Sequence, residues 1–191
     1  MQTCYDLVWL SAQRAPNNLA IVDDLSDRAL TYQELIEEID VVAAGLKKRG
    51  VKSGMRIATV LPSLFDHAIA LLALQRLAAI PALINFRLKP EEVGKLIKLG
   101  EIEGAIILPD KSLAKIVIKN LGNSDRVLCI GETIGLAKNY ADCRGDSLSL
   151  GTIPKPKPED IAFIFYTSGT TGLPKGVELA HRTTEHRVLW P

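Results

Sequence analysis

Ile57-Ala58-Thr59-Val60-Leu61-Pro62-Ser63, the apolar segment 64–78 behind it, and Pro81-Ala82-Leu83-Ile84 together decide the fold class. The first five residues, apolar apart from Thr59 and rich in β-branched side chains, read as a buried strand. Pro62 and Ser63 open a helix over 64–78 whose composition predicts burial on most sides. Ala82-Leu83-Ile84 is a second short strand. Strands that are apolar throughout and joined by helices of ten or more residues indicate parallel pairing in a sheet covered on both faces.

The same alternation continues in both directions. After the second strand, Pro90 can start a helix at its first position and Gly100 can end it. A continuous apolar strand over 105–108, a helix over 112–121 and a strand over 126–130 follow. On the N-terminal side, Thr31 and Glu34 form a T-x-x-E capping box. Leu35, Ile39, Val42 and Leu46 make one apolar stripe behind it, with Lys47, Lys48 and Arg49 in the last turn before Gly50. Residues 3–15 have helical spacing, and Pro16-Asn17-Asn18 breaks it before a short apolar run over 19–22. The fold class is α/β, with parallel-sheet layers covered by helices.

The chain has 191 residues, 23 Lys plus Arg against 22 Asp plus Glu, and 47% hydrophobic content, the balance of an ordinary globular protein. A formal charge of +1 gives no basic field that would gather nucleic acid or an anionic membrane. No apolar run reaches the roughly 18 residues that a membrane span requires. Cys4, Cys129 and Cys143 are odd in number and widely spaced, which fits a reducing compartment, so a cytoplasmic location is expected. From 145 to 160 the pattern lapses into Ser, Gly and Pro154-Lys155-Pro156-Lys157-Pro158, a stiff solvated linker. The expected organisation is an α/β subdomain over 1–144, this linker over 145–160, and a strand, loop and following strand within 161–191.

That last segment carries the chemistry. Ile161-Ala162-Phe163-Ile164-Phe165-Tyr166 is a β-branched and aromatic strand that runs into Thr167-Ser168-Gly169-Thr170-Thr171-Gly172-Leu173-Pro174-Lys175-Gly176. Its glycines let successive N–H groups turn toward one point, its hydroxyls add donors, and Lys175 adds a positive charge. The combination suits a polyphosphate. It is not a Walker A loop, because Lys175 follows Pro174 and precedes Gly176, and Val177-Glu178-Leu179-Ala180 alternates like a strand rather than opening a helix. An unrelated ATPase of the Walker type is disfavoured on both counts. The alternative of a plain polar turn is weakened by the number of specified positions.

Other candidates are weaker. His181, Glu185 and His186 are spaced one residue too long for an H-x-x-E-H zinc pattern. His67 on its apolar helix reads as a structural or surface histidine, Cys129 as a small core residue, and Cys143 as a loop residue without a nearby histidine. Glu37, Glu38 and Asp40 read as a solvated helix face.

Residues 166–176, YTSGTTGLPKG, resemble the phosphate-binding signature of the AMP-forming adenylate synthetases, which include acyl-CoA synthetases, peptide-synthetase adenylation domains and firefly luciferase. The resemblance extends to Leu30-Thr31-Tyr32-Gln33-Glu34-Leu35, Gly54-Met55-Arg56-Ile57-Ala58, Ala79-Ile80-Pro81-Ala82-Leu83-Ile84-Asn85 and His181-Arg182, and it is closer to acyl-CoA synthetases than to peptide-synthetase domains. Ala78 and Ala79 stand where the family often has glycine. The resemblance implies a two-step reaction in which ATP and a carboxylic or fatty acid form an acyl-adenylate and pyrophosphate, and coenzyme A then displaces AMP. It also implies that Thr167, Ser168, Gly169, Thr170, Thr171, Gly172 and Lys175 hold the β- and γ-phosphates, with Mg²⁺ carried by the ATP. The family's adenine, ribose and catalytic-lysine segments have no counterpart here. The expectation is an N-terminal fragment, inactive alone, that needs a complementary C-terminal chain for the acid and coenzyme A. The competing expectation is a non-catalytic nucleotide-binding or partner-docking module derived from the same family.

Overall fold

The structure, a computed structural model, describes residues 3–24, 26–63, 65–153, 155–167 and 174–183. Helix α1 (Cys4–Arg14) precedes a hairpin of β1 (Leu19–Asp23) and β2 (Arg28–Thr31), and α2 (Tyr32–Lys48) leads into β3 (Arg56–Val60). Then follow α3 (Phe65–Arg76), β4 (Ile80–Leu83), α4 (Pro90–Leu99), β5 (Gly104–Ile107), α5 (Lys111–Leu121), β6 (Val127–Cys129) and β7 (Lys138–Asn139). Two 3₁₀ turns lead to β8 (Ile161–Thr167) and β9 (Lys175–Ala180). The predicted capping box is formed: Thr31 Oγ1 accepts from Glu34 N–H and the Glu34 carboxylate accepts from Thr31 N–H. Pro90 opens α4 and Gly100 closes it.

The main sheet has the order β7-β6-β5-β3-β4-β8-β9, all parallel except β9, which runs antiparallel to β8. On one face, α2 and α3 pack Leu35, Ile39, Val42, Leu46, Ile69 and Leu74 against Ile57, Ile106 and Leu128, with α1 and the small hairpin outside them. On the other, α4 and α5 pack Val93, Leu96, Ile97, Leu113 and Val117 against Ala58, Ala82, Ala105, Ile107 and Ile164. The two helices approach closely at Gly94, where a Cβ would fall 2.7 Å from the Ile116 side chain. This is the covered α/β sheet expected from the sequence.

The chain winds from β3 through α3 to β4, then back past β3 through α4 to β5. Adjacent strands β3 and β4 therefore send their C-terminal ends to opposite faces. Such a reversal opens a crevice at the carboxyl edge of an open α/β sheet, where ligands characteristically bind.

Several polar residues read as surface are structural. Asp40 accepts from Arg76 Nε at 2.9 Å and from the Tyr5 hydroxyl at 3.2 Å, and Glu38 takes both guanidinium nitrogens of Arg144. The helix face around them is thus tied to α1, α3 and the segment after β7 instead of being merely solvated. The thiols of Cys129 and Cys143 are fully buried and pushed up to about 11 by burial, so neither behaves as a nucleophile.

At the end of α3, Ala78 N–H donates to the Gln75 carbonyl at 3.0 Å and Ala79 N–H to the Leu74 carbonyl at 3.0 Å. That pattern is a Schellman cap, and Ala78 sits at its left-handed position with φ +53°. Glycine adopts this conformation without the Cβ clash that alanine meets, which explains physically why glycine suits the position. Replacing Ala78 with Gly is expected to stabilise the fold by about 0.5–1 kcal/mol, the left-handed strain relieved less the extra unfolded-state entropy. A urea unfolding midpoint that stays level or falls contradicts the assignment.

His67 and His181 make stability depend on pH. His67 Nδ1 lies 2.9 Å from the Pro62 carbonyl, which can only accept, so Nδ1 is inferred to carry the proton and Nε2 to accept from Thr59 Oγ1 at 3.1 Å. Burial lowers the pKa of both histidines below the ordinary value, so each folds as neutral imidazole. The unfolded chain binds more protons below about pH 6.5, so this contribution is full above that pH and is lost as pH falls through the depressed folded values. The urea midpoint is expected to drop between pH 7.5 and 5.5. The double variant H67N/H181N should show a flatter profile over the same window, and an equally steep one would remove these two groups as the cause.

Candidate functional site

Parallel pairing of β8 with β4, Ala82 opposite Ile164 and Leu83 opposite Phe165, fixes where the sequence's most distinctive segment leaves the sheet. Thr167 ends β8 at the carboxyl edge, beside the turns that follow β3 and β4. β9 returns antiparallel, and Thr167 stands directly opposite Lys175 in the ladder. Cross-strand partners have Cβ atoms about 5 Å apart on the same face of the sheet, which brings one hydroxyl and one ammonium to the mouth of the connection. Both side chains are exposed. Ser168, Gly169, Thr170, Thr171 and Gly172, the other expected phosphate contacts, lie outside the described residues, as do Glu185 and His186.

Long-range contacts that sequence spacing does not display anchor the base of this hairpin. Tyr166 packs its ring toward Gly176, and its hydroxyl lies where a Cβ on Gly100 would fall only 2.1 Å away. Burial raises the Tyr166 pKa, with Arg56 opposing the shift and Glu178 adding to it, so Tyr166 is a neutral wedge at neutral pH. Arg56, at the start of β3, donates to the Gly100 carbonyl at 3.2 Å and to Glu178 Oε1 on β9 at 3.2 Å. This one guanidinium joins three elements separated by up to 122 residues in sequence, a link that the local segment containing Arg56 does not display. Gln75 adds a further tie, donating from Nε2 to the Ala162 carbonyl at 2.6 Å.

His181, just past β9, is buried, and its N–H donates to the Asp160 carbonyl at 3.1 Å. That location is at the far end of the hairpin from Thr167 and Lys175, since Ala180 pairs with Ile161. His67 is engaged at both ring nitrogens and belongs to the turn between β3 and α3. Among the described residues no group of three or more His, Cys, Asp or Glu side chains is placed to hold a metal ion. Among them, too, no helix is long and apolar enough to cross a membrane.

A rigid strand pair presents a hydroxyl and a cation at the edge of a parallel sheet where the winding reverses, and glycine- and threonine-rich chain joins them. A hydroxyl and an ammonium so placed are groups of the kind that hydrogen-bond to phosphate oxygens and offset their charge.

Comparison with known proteins agrees with this geometry. The chain is 43% identical over 195 residues to a 4-chlorobenzoate–CoA ligase from an Arthrobacter species, covering 100% of this chain and 35% of that protein. It is 33% identical over 200 residues to the 4-chlorobenzoate–CoA ligase of Pseudomonas sp. (strain CBS-3), again with 100% and 35% coverage. The chain thus spans about a third of the length of the curated relatives it matches. Among solved structures, the apo form of Mycobacterium smegmatis MbtA superposes with a TM-score of 0.82 at 24% identity, over 95% of this chain and 34% of that one. The luciferase-like enzyme of the nonluminescent mealworm Zophobas morio gives 0.82 at 22% identity, over 98% and 44%. The family described as AMP-binding enzyme matches residues 8–190. From the first helix to beyond β9 that match is continuous, and the chain belongs to the AMP-binding enzyme family.

Proposed function

We propose that this chain is the ATP-phosphate-binding portion of an acid–thiol ligase that activates a carboxylic acid as its adenylate and passes the acyl group to coenzyme A. The observation that carries this reading is the pairing of Thr167 with Lys175 across the mouth of the T-S-G-T-T-G-L-P-K-G connection, at the carboxyl edge beside the β3–β4 reversal. The 43% identity to a 4-chlorobenzoate–CoA ligase supports the ligase class and favours an aromatic acid over a fatty one.

In this reading Thr167, Ser168, Gly169, Thr170, Thr171 and Gly172 cradle the β- and γ-phosphates, and Lys175 offsets their charge. Mg²⁺ arrives bound to the nucleotide and shares that task. A carboxylate oxygen of the acid bonds to the α-phosphorus, the bond from that phosphorus to the bridging oxygen breaks, and pyrophosphate leaves. The thiolate of coenzyme A then attacks the acyl carbon and AMP departs. Every residue assigned here acts on the leaving group. The acid, the adenine and coenzyme A are held by other parts of the complete enzyme, supplied as continuing sequence or as a complementary C-terminal chain. The division into 1–144, 145–160 and 161–191 belongs to the same proposal, with the last segment opening the remainder of the enzyme's large domain.

The test is a chimera in which this chain replaces the matching third of the Arthrobacter ligase. It is expected to release pyrophosphate and form an acyl-CoA from an aryl acid. The K175A variant should lower its kcat/KM for ATP by on the order of 100-fold, the scale of losing one charged contact to a leaving group. A folded chimera without pyrophosphate release, or one indifferent to K175A, overturns the assignment. The 191-residue chain alone is expected to yield no acyl-hydroxamate with any acid. Tight Mg-ATP binding by that chain without turnover would instead favour a nucleotide-binding module.

A further inference from the structure

The outer side of α5 carries a feature that the phosphate site does not use. Leu113, Ala114 and Val117 bury against the sheet, but the apolar arc of the helix continues past them through Ile118. Beyond it the chain after β6 turns back on itself at Gly135, φ +59°, closed by a bridge between Ile134 and Ala137. Between helix and turn lies a groove of about 500 Å³ whose apolar lining is Ala114, Ile118, Ile134 and Leu136. Leu136 is 64% exposed, a large apolar side chain held in water at the rim.

Three lysines line the same groove: Lys111, Lys115 and Lys119. Their i, i+4, i+8 spacing puts them in one row about 12 Å long. None of the three makes an ion pair among the described residues. Asp110, the acid next to them, is engaged as the N-cap, accepting from Leu113 N–H at 2.6 Å, and Glu132 does not line the groove. Lysine stems extend an apolar wall while their ammonium groups stay at its rim. The result is an apolar floor of small-molecule size bordered by cations.

An uncharged hydrocarbon would leave the lysine row unmatched, and a polyanion would leave the Ile134–Leu136 floor wet. An apolar body with one anionic end satisfies both. We propose that the groove between α5 and the 134–136 turn binds a free amphiphilic carboxylate of the fatty-acid class, its chain along Ala114, Ile118, Ile134 and Leu136 and its carboxylate at Lys115 and Lys119. This groove lies apart from Thr167 and Lys175. β6 and β8 are four inter-strand steps apart, about 19 Å, and the inference stands whether or not the chain serves an acid–thiol ligase.

The experiment is an amide-resolved NMR titration of the 191-residue chain with dodecanoate below its micelle concentration. Saturable shifts are expected at Ala114, Lys115, Ile118, Gly135 and Leu136, with the β8 and β9 amides unmoved. K115Q/K119Q and, separately, the exposed substitution L136D should each weaken binding by about tenfold, equivalent to about 1.4 kcal/mol, while leaving the spectrum of the free chain otherwise intact. Dodecanol should bind more weakly than dodecanoate. Shifts scattered over the surface, variants that titrate like the parent, or equal affinity for dodecanol would overturn the proposal. So would cosedimentation with phosphatidylglycerol vesicles in the absence of a saturable dodecanoate titration, which would make the groove a lipid-surface contact.

Discussion

Only two residue pairs, Ala82 with Ile164 and Leu83 with Phe165, join β8 to the strand whose C-terminal end faces the crevice. Among the described residues the connection that follows β8 has no other ladder to the parallel sheet, since β9 pairs with β8 alone. A contact so short between strands about 80 residues apart is entropically expensive to close and holds only where side chains reinforce it. Three of them do so, each from a different element. Gln75 on α3 caps the Ala162 carbonyl, Arg56 on β3 reaches across to Glu178, and Tyr166 wedges over the end of α4 at Gly100. The buried Gln75, 3% exposed, is the clearest sign of what this junction costs. Its Nε2 is used, yet its Oε1 finds no hydrogen-bond partner among the described residues. A polar side chain is kept in an apolar helix because it completes a strand edge.

That same residue marks the limit of reading structure from sequence. In the apolar run 64–78, Gln75 and Arg76 look like an interruption of a buried helix. In the fold both face inward, one to β8 and the other to Asp40. Elements whose evidence is local were legible: the Thr31–Glu34 cap, Pro90 at the start of α4, and the apolar strands β3, β4, β5 and β6. β2 was not, because Arg28, Ala29, Leu30 and Thr31 form a half-exposed strand with no run of burial, held by pairing with β1 and by the distant contacts of Arg28 with Asp66 and Phe65. The two-residue β7 carries no period at all. Of the candidate site, the strand after the loop was legible. The neighbours that orient it were not, because Arg56 and Glu178 are brought together by the order of strands rather than by spacing.

Ala78 shows why a departure from a family pattern needs its backbone angle before it can be weighed. As a packing change, Gly to Ala next to Ala79 looks slight. At φ +53° it is a conformational cost at the turn that returns the chain from α3 to β4. Gly54 N–H donates to the Ala78 carbonyl at 2.8 Å, so the strained residue also positions the start of β3. The strain is local and lies at the amino edge of the sheet, away from Thr167 and Lys175.

The two faces of the β8–β9 pair divide support from contact. Ile164 and Tyr166, with Glu178 and Gly176 opposite them, face the layer built by α4 and the start of β3. Phe163, Phe165 and Thr167, with Leu179, Val177 and Lys175 opposite, face the other way, and exposure rises along them until Thr167 and Lys175 stand in solvent. Because side chains alternate with a period of two, this division depends on register. The irregularity between Ile161 and Phe163 matters for that reason: it shifts the pairing once, near the base, and from there to the mouth the partners stay matched. A slip of β9 by one residue against β8 would turn Lys175 toward the packed face and Glu178 away from Arg56. Arg56 and Tyr166 therefore act on the placement of Thr167 and Lys175 indirectly, by favouring one register of the strand pair.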